Sequence, residues 1–109
     1  MATIELFDEL DLRVGRIVAA APFPEARKPA YQLTIDFGPL GTQRSSARIT
    51  DLYALDDLAG LLVVAVVNLP PRRIAGFISE VLVLGAPDAD GRVVLLTPER
   101  DVPLGGRVY

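Results

Sequence analysis

The chain has no cysteine and no histidine. Without cysteine there can be no disulfides, no thiolate chemistry and no cysteine-held metal, which suits a reducing compartment. Without histidine, the commonest general base and the commonest metal ligand are both missing. Long apolar runs are missing too, since the longest, residues 61–67, is far shorter than a bilayer requires. The opening residues, Met1 to Asp8, are acidic where a secretory leader is basic. These absences lead to the expectation of a soluble, cytoplasmic protein with no membrane insertion. Lysine is reduced to one residue, Lys28, so arginine carries nearly all the positive charge.

What is present amounts to a single domain, residues 1–109, able to bury roughly two-thirds of the surface its unfolded form exposes. The net charge of −3 disfavours a nucleic-acid partner, because such domains tend to be basic. The distribution is less even than the sum. Residues 13–48 hold six basic side chains (Arg13, Arg16, Arg27, Lys28, Arg44, Arg48) against two acidic ones (Glu25, Asp36), a local charge of +4. Acids gather instead at 5–11, 51–57 and 88–101. A basic surface on an acidic protein is compatible with these counts, and so is a scatter of solvated charges.

The stretch from 61 to 86 organises the rest. Its first seven residues are short, apolar and rich in β-branched side chains, which fits a buried strand better than a helix. Pro70 and Pro71 then remove two backbone donors and hold the chain extended, so that Arg72 and Arg73 project from a fixed place. Gly76 supplies the freedom to turn back, and residues 81–84 read as a second apolar strand.

Before this stretch, Thr3 is placed to cap a short helix to Phe7 or Asp8, an N-terminal lid. Residues 11–21 read as a strand whose alternation changes phase at Gly15, where a bulge or bend is expected. Residues 22–29 form a proline-punctuated loop with Arg27 and Lys28 near its tip. Residues 31–37 alternate cleanly, with Tyr31, Leu33, Ile35 and Phe37 on one face. After a turn at 38–41, residues 42–49 return as the partner strand. If Ala47 and Ile49 face the core with Gln43 and Ser45, then Arg44, Ser46 and Arg48 share the outer face beside Gln32 and Thr34. Residues 50–60 look helical or turn-like, with Gly60 as a stop. Beyond 84, Asp88 to Gly91 is a hairpin turn, 92–96 another strand, and 98–109 a tail.

Three strands, a helical insert and two or three further strands suit an all-β, OB-type Greek-key barrel with a short N-terminal helix and a helix between strands 3 and 4. The second and third strands of such barrels commonly bind oligonucleotides. A β-sandwich is the runner-up, although seven regular strands are not evident.

Candidates for chemistry are few. Ser45 and Ser46 have no histidine to act as base. Asp56 and Asp57 point in different directions if helical. The Asp88, Asp90, Gly91 run opens like a calcium loop but lacks a closing glutamate, and Gly105-Gly106 lacks the strand and helix of a nucleotide fingerprint. No enzyme, cofactor or metal is therefore expected.

One run is distinctive: Asn68-Leu69-Pro70-Pro71-Arg72-Arg73-Ile74-Ala75-Gly76-Phe77-Ile78-Ser79-Glu80-Val81-Leu82. It closely resembles the pattern of the tRNA-binding domain found in the endothelial monocyte-activating polypeptide and at the C-terminus of some methionyl-tRNA synthetases. Further landmarks follow in the family's order, at Phe7, Asp11 to Ile17, Phe23 to Arg27, Ile35 to Gly38, Arg44 to Ala47 and Val94 to Leu96. The resemblance implies an OB-fold homodimer that binds tRNA by shape. For the stand-alone bacterial branch of the family, where the likeness is strongest, it implies a chaperone-like role in protein export, with pockets for unfolded or preprotein segments. Carried over by position, tRNA contacts fall on Arg27 or Lys28 and on Ser79 with Leu82, where the family often has methionine. Arg72 and Arg73 match the family's basic pair and could equally brace a dimer.

Dimerisation also follows from the residues. Barrel strands that meet water should alternate, whereas 61–67 and 81–84 are apolar on both faces. A second copy would cover the outer side; within a monomer the N-terminal helix and C-terminal tail would have to do so. Two functional readings result. In one, tRNA is held electrostatically on an arginine and serine face with no aromatic platform for bases. In the other, apolar grooves hold extended preprotein segments with little or no tRNA binding.

Overall fold

The computed structural model describes residues 1–109. One helix, α1 (Ile4–Glu9), precedes nine strands: β1 (Leu12–Pro22), β2 (Tyr31–Asp36), β3 (Thr42–Ala47), β4 (Leu62–Val66), β5 (Arg72–Ile74), β6 (Phe77–Ser79), β7 (Leu82–Val83), β8 (Gly85–Pro87) and β9 (Val93–Leu95). Five of them form one antiparallel sheet in the order β3-β2-β1-β4-β7, while β5-β6 and β8-β9 are separate hairpins. The sheet curls into a nearly closed, OB-like barrel. Closure is made along the free edge of β3 by the backbone and side chains of Ser79 and Glu80. The Arg44 amide donates to Glu80 Oε1 (2.9 Å), the Glu80 amide to the Arg44 carbonyl (2.8 Å), and the Ser46 amide to Ser79 Oγ (3.0 Å). Edge donors that would otherwise lack protein partners are thereby satisfied.

The period of two in β2 is realised as read from the sequence. Leu33, Ile35 and the following Phe37 are fully buried, and they join Ile17, Ala47, Ile49, Leu58, Val63, Ala65, Val81 and Leu95 in one apolar core. Register places Thr34 opposite Arg44 and Gln32 opposite Ser46, so the expected outer face of the hairpin forms.

Gly15 does not host a bulge. The β1–β4 ladder runs unbroken through it, with Val14 opposite Val64 and Gly15 opposite Val63, and the register shift against β2 lies between Ile17 and Ala19. Gly15 is needed for a different reason: a Cβ there would lie 2.6 Å from Ile35 Cγ2 and 2.7 Å from the Phe37 ring. The apparent phase change records a position where the core leaves no room for a side chain.

The helical insert between strands 3 and 4 is also corrected. Residues 50–60 run through turns with a single 3-10 turn, Leu55–Asp57. Tyr53 explains why. Its carbonyl accepts from the Tyr31 hydroxyl (2.7 Å) and its own hydroxyl accepts from the Leu95 amide (3.0 Å). Tertiary bonds thus hold the backbone where an isolated helix this short would be marginal. Leu58 still reaches the core and is fully buried.

The connection after β4 is more than a stiff linker. Pro70 and Pro71 lead into β5, and Ala75 and Gly76, both at positive φ (46° and 84°), form a two-residue turn into β6. Phe77 and Ile74 pair across this hairpin and pack on Phe23 and Ala30 in a second, smaller apolar cluster.

Helix α1 starts at its Thr3 cap, whose hydroxyl accepts from the Leu6 amide (3.3 Å), but it buries no residue and is not a lid on its own barrel. It is tethered through its C-terminal end. Asn68 donates to the Glu9 carbonyl and accepts from the Asp11 amide, and Arg107 donates to the carbonyls of Asp8 and Leu10. The C-terminal segment is not a loose tail, since Gly105, Gly106 and Val108 bond to the backbone of Leu12 and Val14 along β1. Most of β4, expected to need a covering partner, is buried within the one chain: Leu62, Val63, Ala65 and Val66 on both faces. In the second apolar ribbon, Leu82 remains 46% exposed, and beyond it Val94 and Leu96 remain 41% and 42% exposed.

The β8–β9 turn is closed by Asp88, whose carboxylate accepts from the amides of Asp90 and Arg92 (both 2.9 Å) and from the Arg92 guanidinium (2.9 Å). Donation from the Arg92 amide, more than any other contact, holds the Asp88 carboxyl below its ordinary pKa. A group lowered in the folded state adds stability above the ordinary carboxylate range, and that contribution is lost as pH falls through the lowered value. Asp88→Asn should therefore be less stable than the parent near neutrality, with the gap closing in acid. Chemical denaturation at a series of pH values checks this, and a gap that persists in acid would refute it.

Candidate functional site

Eleven basic side chains are distributed over the surface, and their partners divide them. Arg13 and Arg107 are held by Asp11, Arg92 by Asp88 and Asp90, and Arg100 by Glu99. Arg16 donates to the Gly60 carbonyl (2.8 Å). Arg44 leans toward Gln32 (3.5 Å) and lies over the Phe77 ring, 4.3 Å from its centroid. The remaining five, Arg27, Lys28, Arg48, Arg72 and Arg73, are exposed and have no ion-pair or hydrogen-bond partner in the chain.

Four of these five line one groove of about 730 Å³. Arg27 and Lys28 come from the proline-punctuated loop between β1 and β2, Arg48 from the residue just after β3, and Arg72 from the start of β5. The β5–β6 hairpin brings Arg72 opposite Ser79, and Ser79 in turn meets the Ser46 amide, so both serines also line the groove. Leu82 does as well. Of the nine residues singled out from the sequence, seven thus converge here. Arg73 does not, because it lies on the opposite face of the hairpin beside Ile78, and Arg44 is occupied against Phe77 at the barrel seam.

The groove's electrostatics follow from its lining. Four cations face two carboxylates, Glu25 and Glu80, and Glu80 already accepts from the Arg44 amide. The walls are positive on a protein that is negative overall. No aromatic side chain lines the groove, so it offers phosphate-binding charge without a surface on which bases stack. No group of acidic side chains stands where it could hold a metal ion, and no helix is long and apolar enough to cross a membrane.

Apolar grooves were expected from the sequence, but the residues of this aliphatic floor were not named. Ile49, Ile74, Val81, Val83 and Leu95, with Leu69 and Pro70 at the margin, come from four separate segments that only the fold assembles. One local signal was available, the small-residue turn Ala75-Gly76 between two extended runs, which marks a two-residue hairpin and sets Arg72 against Ser79.

Comparison with known proteins gives a consistent set of likenesses. Residues 12–107 match the tRNA binding domain family. Among solved structures, the chaperone CsaA of Bacillus anthracis is 53% identical with a TM-score of 0.94, covering 100% of this chain and 99% of that one. The CsaA chaperone protein of Picrophilus torridus is 50% identical with a TM-score of 0.93 and full coverage of both chains. Among curated proteins, the methionine–tRNA ligase of Archaeoglobus fulgidus is 40% identical over 106 residues. Those residues are 97% of this chain but only 16% of the ligase, so the chain spans a small part of that relative's length.

Proposed function

The chain belongs to the tRNA binding domain family, and from that premise we propose that it acts as a single, non-catalytic domain that binds tRNA by shape and charge. The observation that carries this reading is the convergence of four unpartnered cations on one groove. Folded RNA presents phosphates at fixed spacings, and a protein without stacking aromatics recognises it by that backbone rather than by base identity. Arg27, Lys28, Arg48 and Arg72 supply the charge, and Ser46, Ser79 and Leu82 line the same groove.

Binding so built is salt-dependent. If all four cations meet phosphates, the logarithm of affinity should fall with the logarithm of salt with a slope of roughly −3 to −4 per protomer. A filter-binding titration with unfractionated tRNA over a salt series measures this, and affinity that ignores salt would refute the electrostatic site.

The active form in this reading is a homodimer. Val94 and Leu96 leave apolar surface at β9 and just beyond it that the single chain does not cover, and a two-fold partner is the simplest cover. Two grooves on one particle would raise avidity for a rigid ligand without new contacts. Light scattering behind size exclusion should give twice the chain mass at micromolar concentration; a monomeric mass would remove this part of the proposal.

A second reading is favoured by the aliphatic floor and by the two chaperones this chain is similar to. In it, the groove holds unfolded or preprotein segments on their way to export. Suppression of aggregation of an unfolded client, measured beside the tRNA titration, separates the two activities.

A further inference from the structure

The groove joins two surfaces that neither a simple polyanion nor a simple apolar chain satisfies together. Its floor is aliphatic, with Ile74 and Val83 half-buried, and Leu69 and Leu82 stand open to solvent at its margin. Its rim holds four cations, none of them in an ion pair, against two carboxylates, Glu25 and Glu80. RNA neutralises the rim but sets phosphate and sugar against Leu69 and Leu82. A purely apolar segment covers the floor but strips water from guanidinium groups that gain nothing in return. A basic segment covers the floor and is repelled by the rim.

An extended peptide whose aliphatic side chains alternate with carboxylates meets both demands. Successive side chains of an extended backbone point to opposite sides, so alternate positions reach the floor while the carboxylates stay free to meet Arg27, Lys28, Arg48 and Arg72. The geometry points to selectivity for acidic, apolar peptide segments over basic ones of equal hydrophobicity. This inference rests on the client-binding reading given above and names the chemistry of the client. Stretches rich in lysine and arginine, including the basic ends of export signals, are poor ligands, and acidic stretches are the good ones.

The test uses the intact protein and fluorescein-labelled peptides of one length and one aliphatic content, with glutamate, glutamine or lysine at the alternating positions. In fluorescence anisotropy the glutamate peptide should bind about tenfold more tightly than the glutamine peptide, with the lysine peptide weakest. Arg48→Gln and Arg72→Gln should each weaken the glutamate peptide and leave the glutamine peptide unchanged, a pattern that loss of folding cannot produce. Unlabelled tRNA should displace the glutamate peptide, because the same guanidinium groups serve both. Equal affinities, preference for lysine, no binding of any peptide, or a ternary complex with tRNA would each overturn the inference. If tRNA fails to bind on its own while the peptide order and its dependence on Arg48 and Arg72 hold, the inference stands and the RNA reading falls.

Discussion

Reversing two charges in the groove, Arg48→Glu together with Arg72→Glu, is expected to weaken tRNA binding by about a hundredfold or more at low salt and to make the salt slope shallower by about two. Both side chains are exposed and unpaired, and substitutions at such positions typically change stability by no more than about 0.5 kcal/mol. The loss would therefore report on binding. A general effect of net charge is separated by Arg100→Glu, whose side chain is largely solvated and lies outside the groove; it should leave affinity nearly unchanged at moderate salt. Arg73→Glu adds a finer control. Its side chain shares a hairpin with Arg72 but occupies the other face, so a loss as large as that of Arg72→Glu would move the site outward from the groove. Unaltered affinity in the double variant would remove the groove as the RNA site.

The second large effect concerns stability. Leu58→Ala should cost about 2–5 kcal/mol, a large fraction of the ~5–15 kcal/mol that holds a domain of this kind folded. Leu58 is fully buried among Ile17, Val63 and the other core residues. It is held there by neighbouring backbone bonds, from the Gly60 amide to the Ile17 carbonyl (2.7 Å) and from the Ile17 amide to the Leu61 carbonyl (2.9 Å). These bonds limit how far the segment can collapse into the space left by the truncation, which places the cost toward the upper end of the range. Denaturant titration measures it, and a loss below about 1 kcal/mol would show that residues 50–60 are not integral to the core.

Leu58 also shows what a sequence reveals and what it hides. That residues 50–60 depart from the strand pattern was legible, and of the three leucines there Leu58 alone is fully buried. The backbone around it was not legible, because the bonds of Tyr53 to Tyr31 and to Leu95 link positions 22 and 42 residues apart. Strands β2 and β3 were readable nearly residue by residue, since one face of each meets the core and the other meets water, and the period of two records that directly. Strand β4 misled for the opposite reason. Its continuous apolar run does mean cover on both faces, but most of that cover lies within the chain. For the site, the residue types were legible and their pairing was not. Nothing local distinguishes Arg48, left unpartnered, from Arg44, stacked on Phe77 across the barrel seam.

The two ends of the polypeptide meet: Arg107 donates to the carbonyls of Asp8 and Leu10, and Val108 bonds to Leu12. No residue before Glu25 or after Leu95 contributes to the groove. Segments 8–12 and 105–108 thus lie together and clear of the groove, so a chain joined on beyond either of them need not pass across it.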